Sequence, residues 1–241
     1  MKTVVLLQGF PEAFLSKKTL IHSYFEDNKY RIVLPDLNSE SLFDSEFVLS
    51  DVESKLDGKS PDVIVGVSMG GLLAPVLANR YPKSKLVLVA TGPYFKTKIS
   101  AYNLLVALEA RDKKTILIRI LRLIPRGLFR FAYKNFNRSS TISDVEYAQR
   151  ADENFDGVMS IPVENIKLIL KFVSKTNNTN VLGNLLNRTL IFAGKSDLLM
   201  PLALSRQLQS LLQNSQLIVN ERNHHDVFTK SEFVHLDKFL S

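Results

Sequence analysis

The sequence predicts an α/β fold: a doubly wound, mostly parallel sheet of about six strands, flanked by helices and interrupted by an inserted helical cap. Two observations carry this expectation. Short apolar runs recur along the chain, each followed by loop residues and then a helical pattern, which is the signature of parallel strands buried on both faces. The rhythm breaks once, from Gly92 to about Thr179, where the periodicity is helical throughout. The core is therefore expected over 1–92 and 180–241, and the cap over 93–179.

Strands are expected at 2–8, 31–35, 62–67, 85–90, 189–193 and 216–220. Single helix-sized segments separate the first four, which predicts right-handed crossovers within one sheet. Inside the cap, Ile116, Ile120, Leu123 and Ile124 mark one apolar helical stripe, and Val163, Ile166, Leu170 and Val173 mark another. Asn177-Asn178-Thr179-Asn180 is expected as the exit linker, and Glu232 to Leu240 as a closing amphipathic helix.

Composition narrows the chemistry. Hydrophobic residues make up 45% of the 241 and charged residues 23%, which is ordinary globular usage and excludes a fibrous or disordered chain. With no cysteine, disulfides, thiolate metal sites and a cysteine nucleophile are excluded. No metal or cofactor is expected. The net charge of +7 is unevenly placed: residues 92–140 hold eleven Lys or Arg against two acids, so the rest of the chain is slightly acidic. That distribution argues against a nucleic-acid binder. Met1 to Leu7 is too short an apolar run for a secretory core, and no stretch approaches the ~18 apolar residues of a membrane span, so a cytoplasmic location is expected.

The most informative stretch is Val63-Ile64-Val65-Gly66-Val67-Ser68-Met69-Gly70-Gly71-Leu72. A buried strand ends at a serine and a helix begins directly after it. A side chain held at such a turn needs small neighbours so that helix and strand can approach, and Gly66 and Gly70 meet that need. The helix start adds backbone N–H groups and a positive dipole end. With Ala78 and Tyr81-Pro82 downstream, Gly66-Val67-Ser68-Met69-Gly70-Gly71 resembles the nucleophile elbow of the α/β-hydrolase superfamily, of the serine esterase or lipase-like kind with a helical cap. The resemblance implies Ser68 as the nucleophile.

A serine hydroxyl needs a histidine base, which in turn needs a carboxylate to fix its tautomer. His22 and His235 lie in predicted helices and read as surface or packing residues. His224 and His225 follow the last strand, where the superfamily keeps its base. Loop length and the spacing to Phe228 and Glu232 favour His224, with His225 the alternative. For the acid, Gly194-Lys195-Ser196-Asp197-Leu198-Leu199-Met200-Pro201 resembles the superfamily's acid loop and points to Asp197, although Asp is also a favoured helix cap. Gln8-Gly9-Phe10-Pro11 resembles the superfamily's His-Gly-X-Pro loop with Gln in place of His. The backbone N–H groups of Phe10 and Met69 are then the expected oxyanion donors.

In the predicted cap, Arg111, Lys113, Lys114, Arg119, Arg122, Arg126, Arg130 and Lys134 interleave with Ile, Leu and Phe. The favoured expectation is a lid with an apolar stripe toward the site and charges toward solvent; contact with an anionic membrane surface is the other. The reading is a serine hydrolase for carboxylic esters, lactones such as acyl lactones included, acting on a small substrate with an apolar acyl part. An acyltransferase, C–C bond hydrolase or perhydrolase could use the same residues, and a ligand-binding or membrane-surface protein could keep the pocket without the chemistry.

Overall fold

The computed structural model of the chain describes residues 1–15, 18–37, 45–109, 115–136 and 143–241. Among them, six strands form one sheet: β1 (Thr3–Leu7), β2 (Arg31–Val33), β3 (Val63–Val67), β4 (Lys85–Val89), β5 (Thr189–Gly194) and β6 (Ser215–Asn220). Their order is β2-β1-β3-β4-β5-β6, and every neighbouring pair is parallel. Each strand lies on an apolar run picked out in the sequence.

Alternation along these strands builds two cores. Val5, Leu7, Ile64, Leu86, Leu88 and Ile191 face α3 (Ser45–Leu56), α4 (Met69–Arg80), α10 (Thr179–Leu182) and α11 (Leu202–Leu211). On the opposite face, Val4, Leu6, Val63, Val65, Val87 and Phe192 meet α2 (Leu20–Asp27) and α12 (Phe233–Leu240). Burying one such side chain is worth about 1.5–3 kcal/mol, so a one-residue slip of any central strand would forfeit several of these at once. The first crossover holds two helices, the short α1 (Glu12–Leu15) and α2, where the sequence pattern suggests one.

Strand order reverses at β1. Sequence proceeds outward from β1 to β2, returns to β3 on the other side, and then continues through β4, β5 and β6. The carboxyl ends of β1 and β3 therefore diverge around a crevice, the place where open α/β sheets bind ligands.

Between β4 and β5 the described residues form α5 (Ser100–Glu109), α6 (Ile116–Leu121), α7 (Arg126–Phe136), α8 (Asp144–Ser160) and α9 (Val163–Lys175). Their entry and exit are stitched together. Tyr94 bridges to Asn177, the N–H of Asn178 donates to the carbonyl of Pro93 at 2.8 Å, and its side chain donates to the carbonyl of Leu72 at 2.8 Å. Within the expected linker, Asn178 is thus buried and clamps onto α4.

The described charges of α6 and α7 are largely exposed, as expected, but they are paired with acids. Arg126 pairs with Asp156 at 2.5 Å, Lys134 with Asp144 at 2.8 Å, and Arg130 with Asp152, so the cations of α7 lie along acids of α8. Arg119 faces Glu164 at 3.7 Å, and Arg122 donates to the carbonyl of Ile161. Arg111, Lys113 and Lys114 lie outside the described residues. The apolar stripe differs: Ile116, Ile120 and Leu123 are exposed, as are Leu128 and Phe131, whereas Ile118 of α6 is buried. Helix periodicity identifies a stripe but not what covers it, and here α7 packs on α8 through Phe129, Tyr133, Tyr147 and Ala151.

A side chain at Gly70 would run into the backbone of Leu7 and Gln8. Gly70→Ala is expected to lower unfolding free energy by about 1–3 kcal/mol, measured by urea denaturation. An unchanged midpoint would show that α4 does not press on β1 as described.

Candidate active site

Ser68 sits between β3 and α4 with φ 50° and ψ −114°, a conformation that L residues rarely adopt. Such a residue costs on the order of 1–3 kcal/mol and persists only where its surroundings hold it. Its N–H donates to the carbonyl of Val89 at 2.8 Å, and its own carbonyl accepts from the Thr91 hydroxyl at 2.9 Å and the Gly71 N–H at 3.0 Å. A Cβ at Gly66 would lie 2.7 Å from both the Ala74 side chain and the Gly71 Cα, so the turn closes only with glycine there.

The Ser68 hydroxyl lies 2.9 Å from Nε2 of His224, and Nδ1 of His224 lies 2.8 Å from Oδ2 of Asp197. Asp197 is 1% exposed. Its other oxygen accepts the N–H groups of Leu199 at 2.9 Å and Met200 at 2.8 Å, which fix the carboxylate with Oδ2 toward the imidazole. Asp197 is not a helix cap, since α11 begins at Leu202 after Pro201; one oxygen closes its own turn and the second is left for His224. Such a chain can move a proton from hydroxyl to imidazole while the carboxylate holds the ring.

His225 stands outside that chain. Its ring lies 5.5 Å from the Tyr133 ring of α7 and 5.6 Å from that of His224. Burial first, then the neighbouring His224 and Arg150, push its pKa down to about 3, so it is a neutral ring at neutral pH. His22 is buried in α2 and His235 is exposed on α12, each remote in sequence from this turn.

The loop carrying His224 is braced from both sides. Below it, Arg222 donates to Glu232 at 2.8 Å and to the Thr229 hydroxyl at 2.6 Å, Glu232 accepts the Thr229 N–H at 2.8 Å, and Asn220 donates to the carbonyl of Val227 at 2.8 Å. Above it, Arg150 of α8 pairs with Asp226 at 2.6 Å. The Thr229-x-x-Glu232 spacing is a capping-box pattern readable in the sequence. Arg150 carried no such signal, because its partner is 76 residues away.

Gly9 passes so close to Ser68 that a Cβ on it would sit 3.2 Å from the serine Cβ. Phe10 follows, and Met69 opens α4 on the other flank, where first-turn N–H groups have no helical acceptor. Gln8, Gly9, Phe10, Ser68 and His224 line a cavity of about 160 Å³ whose remaining wall is mostly apolar, from Leu20, Ile21, Val67, Val89 and Phe228. Sequence reasoning did not single out Leu20, Ile21 or Val89 for this wall, since each reads simply as core.

The model of the family described as "Serine aminopeptidase, S33" matches residues 36–232. The chain belongs to this family, within the α/β-hydrolase clan. No curated protein matches its sequence at a significant level. Among solved structures, a bromoperoxidase from Bacillus anthracis superposes with TM-score 0.72 at 18% identity, over 99% of this chain and 91% of that one. A thermophilic esterase from Thermogutta terrifontis gives 0.68 at 18% identity, over 100% and 91%. The 2-hydroxy-6-oxo-6-phenylhexa-2,4-dienoate hydrolase of Rhodococcus sp. strain RHA1 gives 0.70 at 18% identity, over 98% and 89%. At such identities the likeness speaks for the fold, which esterases, a peroxidase and a C–C bond hydrolase share. Among the described residues, no helix is long and apolar enough to cross a membrane.

Glu232 is buried, and burial alone would raise its carboxyl pKa. The N–H and hydroxyl of Thr229, with Arg222 and Ser231, outweigh this and hold it below the usual carboxylate range. A depressed carboxylate contributes stability that is full above its unfolded value, about 4.3, and is lost as pH falls through the folded one. Glu232→Gln is therefore expected to destabilise by about 1–3 kcal/mol at neutral pH, the gap from wild type closing toward pH ~3. Denaturant titrations across that range measure it; a gap that widens in acid would overturn the assignment.

Proposed function

We propose that the chain is a carboxylic-ester hydrolase that works through an acyl-enzyme on Ser68. The observation that carries this reading is the continuous hydrogen-bonded chain from the Ser68 hydroxyl through His224 to the buried Asp197, opening onto an apolar cavity. Nε2 of His224 takes the hydroxyl proton as the Ser68 oxygen attacks the ester carbonyl, and Asp197 stabilises the imidazolium that results. The tetrahedral oxyanion is received by the backbone N–H groups of Phe10 and Met69, a term worth several kcal/mol per donor in comparable sites. His224 then returns the proton to the departing alcohol. A water molecule, deprotonated by the same nitrogen, releases the acid and restores Ser68.

In this assignment His224 is the base and His225 a wall of the pocket, with α5–α9 as the cap. Membership of a hydrolase family and the fold shared with esterases support hydrolysis over ligand storage. A membrane-surface role draws little support from α7, whose cations already have acidic partners on α8.

Ser68→Ala and His224→Ala are expected to cut kcat on p-nitrophenyl butyrate by at least about a thousandfold, while His225→Ala stays within roughly tenfold of wild type. Steady-state kinetics decide it: comparable turnover by wild type and Ser68→Ala would sink the enzyme reading, and equal losses at the two histidines would misplace the base.

The cavity, about 160 Å³, is close to the ~150 Å³ apolar space that admits a benzene ring. Activity across p-nitrophenyl esters is therefore expected to peak at acyl chains of about four to six carbons and to fall beyond. Running the same panel against simple lactones separates open-chain from cyclic substrates. A maximum at long chains would mean that the cavity is not where the acyl group binds.

A further inference from the structure

One charged group on the cavity wall takes no part in the proposed mechanism. Glu12 follows the Gln8-Gly9-Phe10-Pro11 turn, opens α1, and lines the cavity together with Ser68 and His224. A Cβ on Gly9 would lie 3.2 Å from the Ser68 Cβ and 3.8 Å from Oε2 of Glu12, so the carboxylate and the nucleophile flank the same glycine. Glu12 is partly exposed, and among the described residues its carboxylate has neither a hydrogen-bond nor an ion-pair partner.

Among the described residues that line the cavity there is no Lys or Arg to cancel this charge, and His225 is neutral. Lys18 is engaged with Glu26 at 2.7 Å, and Arg150, whose charge reaches His225, is shared between Asp226 at 2.6 Å and Glu146 at 2.9 Å. Asp197, behind His224, adds a second negative charge. The Glu12 charge is felt as far as α7: burial above all, with Asp226 and Glu12 adding to it against Arg150, pushes the Tyr133 pKa up. Ester hydrolysis turns a neutral acyl group into a carboxylate beside Ser68. Like charges a few ångströms apart repel several-fold more strongly between apolar walls than in open water.

We propose that Glu12 is a specificity-determining residue that makes the site select against anions, so that esters whose acyl part ends in a free carboxylate are turned away and the acid product is driven out by the charge it has just gained. This rests on the ester-hydrolase reading above. Neutral acyl groups are unaffected by the Glu12 charge, and a cationic group of the same size is drawn toward it. Specificity of this kind comes from a repulsive element built against the wrong ligand as much as from contacts to the right one.

The test compares methyl butyrate with monomethyl succinate, followed by titration of the acid released. Wild type is expected to prefer the butyrate ester in kcat/KM, and Glu12→Gln to narrow that preference by at least about tenfold. Glu12→Asp, which keeps the charge, should keep most of it. A residue that only shapes the pocket would change both rates together, so an unchanged ratio in Glu12→Gln overturns the proposal. The product arm needs no turnover: in the Ser68→Ala variant, calorimetry reads the binding of butyrate, butyramide and butylammonium. Adding Glu12→Gln there is expected to tighten butyrate by about tenfold, leave butyramide within about twofold, and weaken butylammonium. Equal shifts for all three ligands, or no shift in any, refute the charge role. Ser68-dependent turnover of methyl butyrate checks the hydrolase reading separately, so that reading can fail while the titrations still decide what Glu12 does.

Discussion

The turn between β3 and α4 exists only because two positions in it have no side chain. Gly66 lets α4 lie against β3, with Ala74 and Gly71 where its Cβ would be, and Gly70 lets the same helix touch the backbone at the end of β1. Those approaches put the first helical N–H groups and the Gly9–Phe10 backbone on either side of Ser68. The positive φ of Ser68 follows from the geometry, since the chain must reverse from strand to helix within one residue. Three hydrogen bonds to its peptide groups, from β4 and its continuation and from α4, hold it there. Everything proposed for the site depends on this close contact between one helix and two strands.

The second constraint is electrostatic. Asp197 is almost fully buried, and a buried carboxylate is tolerated only when its oxygens are satisfied. Two backbone N–H groups and one imidazole supply this, and in doing so they orient His224. The adjacent His225 experiences the opposite balance: burial without a carboxylate, beside another histidine and an arginine, keeps it uncharged. One residue of register thus separates a ring held between Ser68 and Asp197 from one that lies against Tyr133. Strand-to-loop length favoured His224 in the sequence, but the separation becomes decisive only in the loop's turn, where the Asn223 side chain accepts the His225 N–H.

The parts legible in the sequence were those written in local patterns. Fully buried parallel strands are short apolar runs, so all six could be placed, and a glycine-flanked serine between strand and helix marks a tight turn whatever surrounds it. The misread parts involve partners distant in the chain. The stripe of Ile116, Ile120 and Leu123 has the right period for a packed helix, yet it faces outward, and α9 packs on α6 elsewhere. Basic residues that look like a free cationic face acquire acids from a helix some twenty to thirty residues later. Asn178, placed in a polar run that reads as a linker, is buried because its amide reaches back to α4.

These distant pairings join the helices after β4 to the site. Tyr133 of α7 lies against His225, and Arg150 of α8 pairs with Asp226, so the two residues following His224 are both held by that segment. From the core side, Arg222, Thr229 and Glu232 close the same loop. The imidazole is therefore positioned by three parts of the chain: the acid loop after β5, the capped turn before α12, and α7 and α8. A hydrogen bond of 2.9 Å to Ser68 requires all three to agree. The helical segment thus takes part in the geometry of the site through Tyr133 and Arg150.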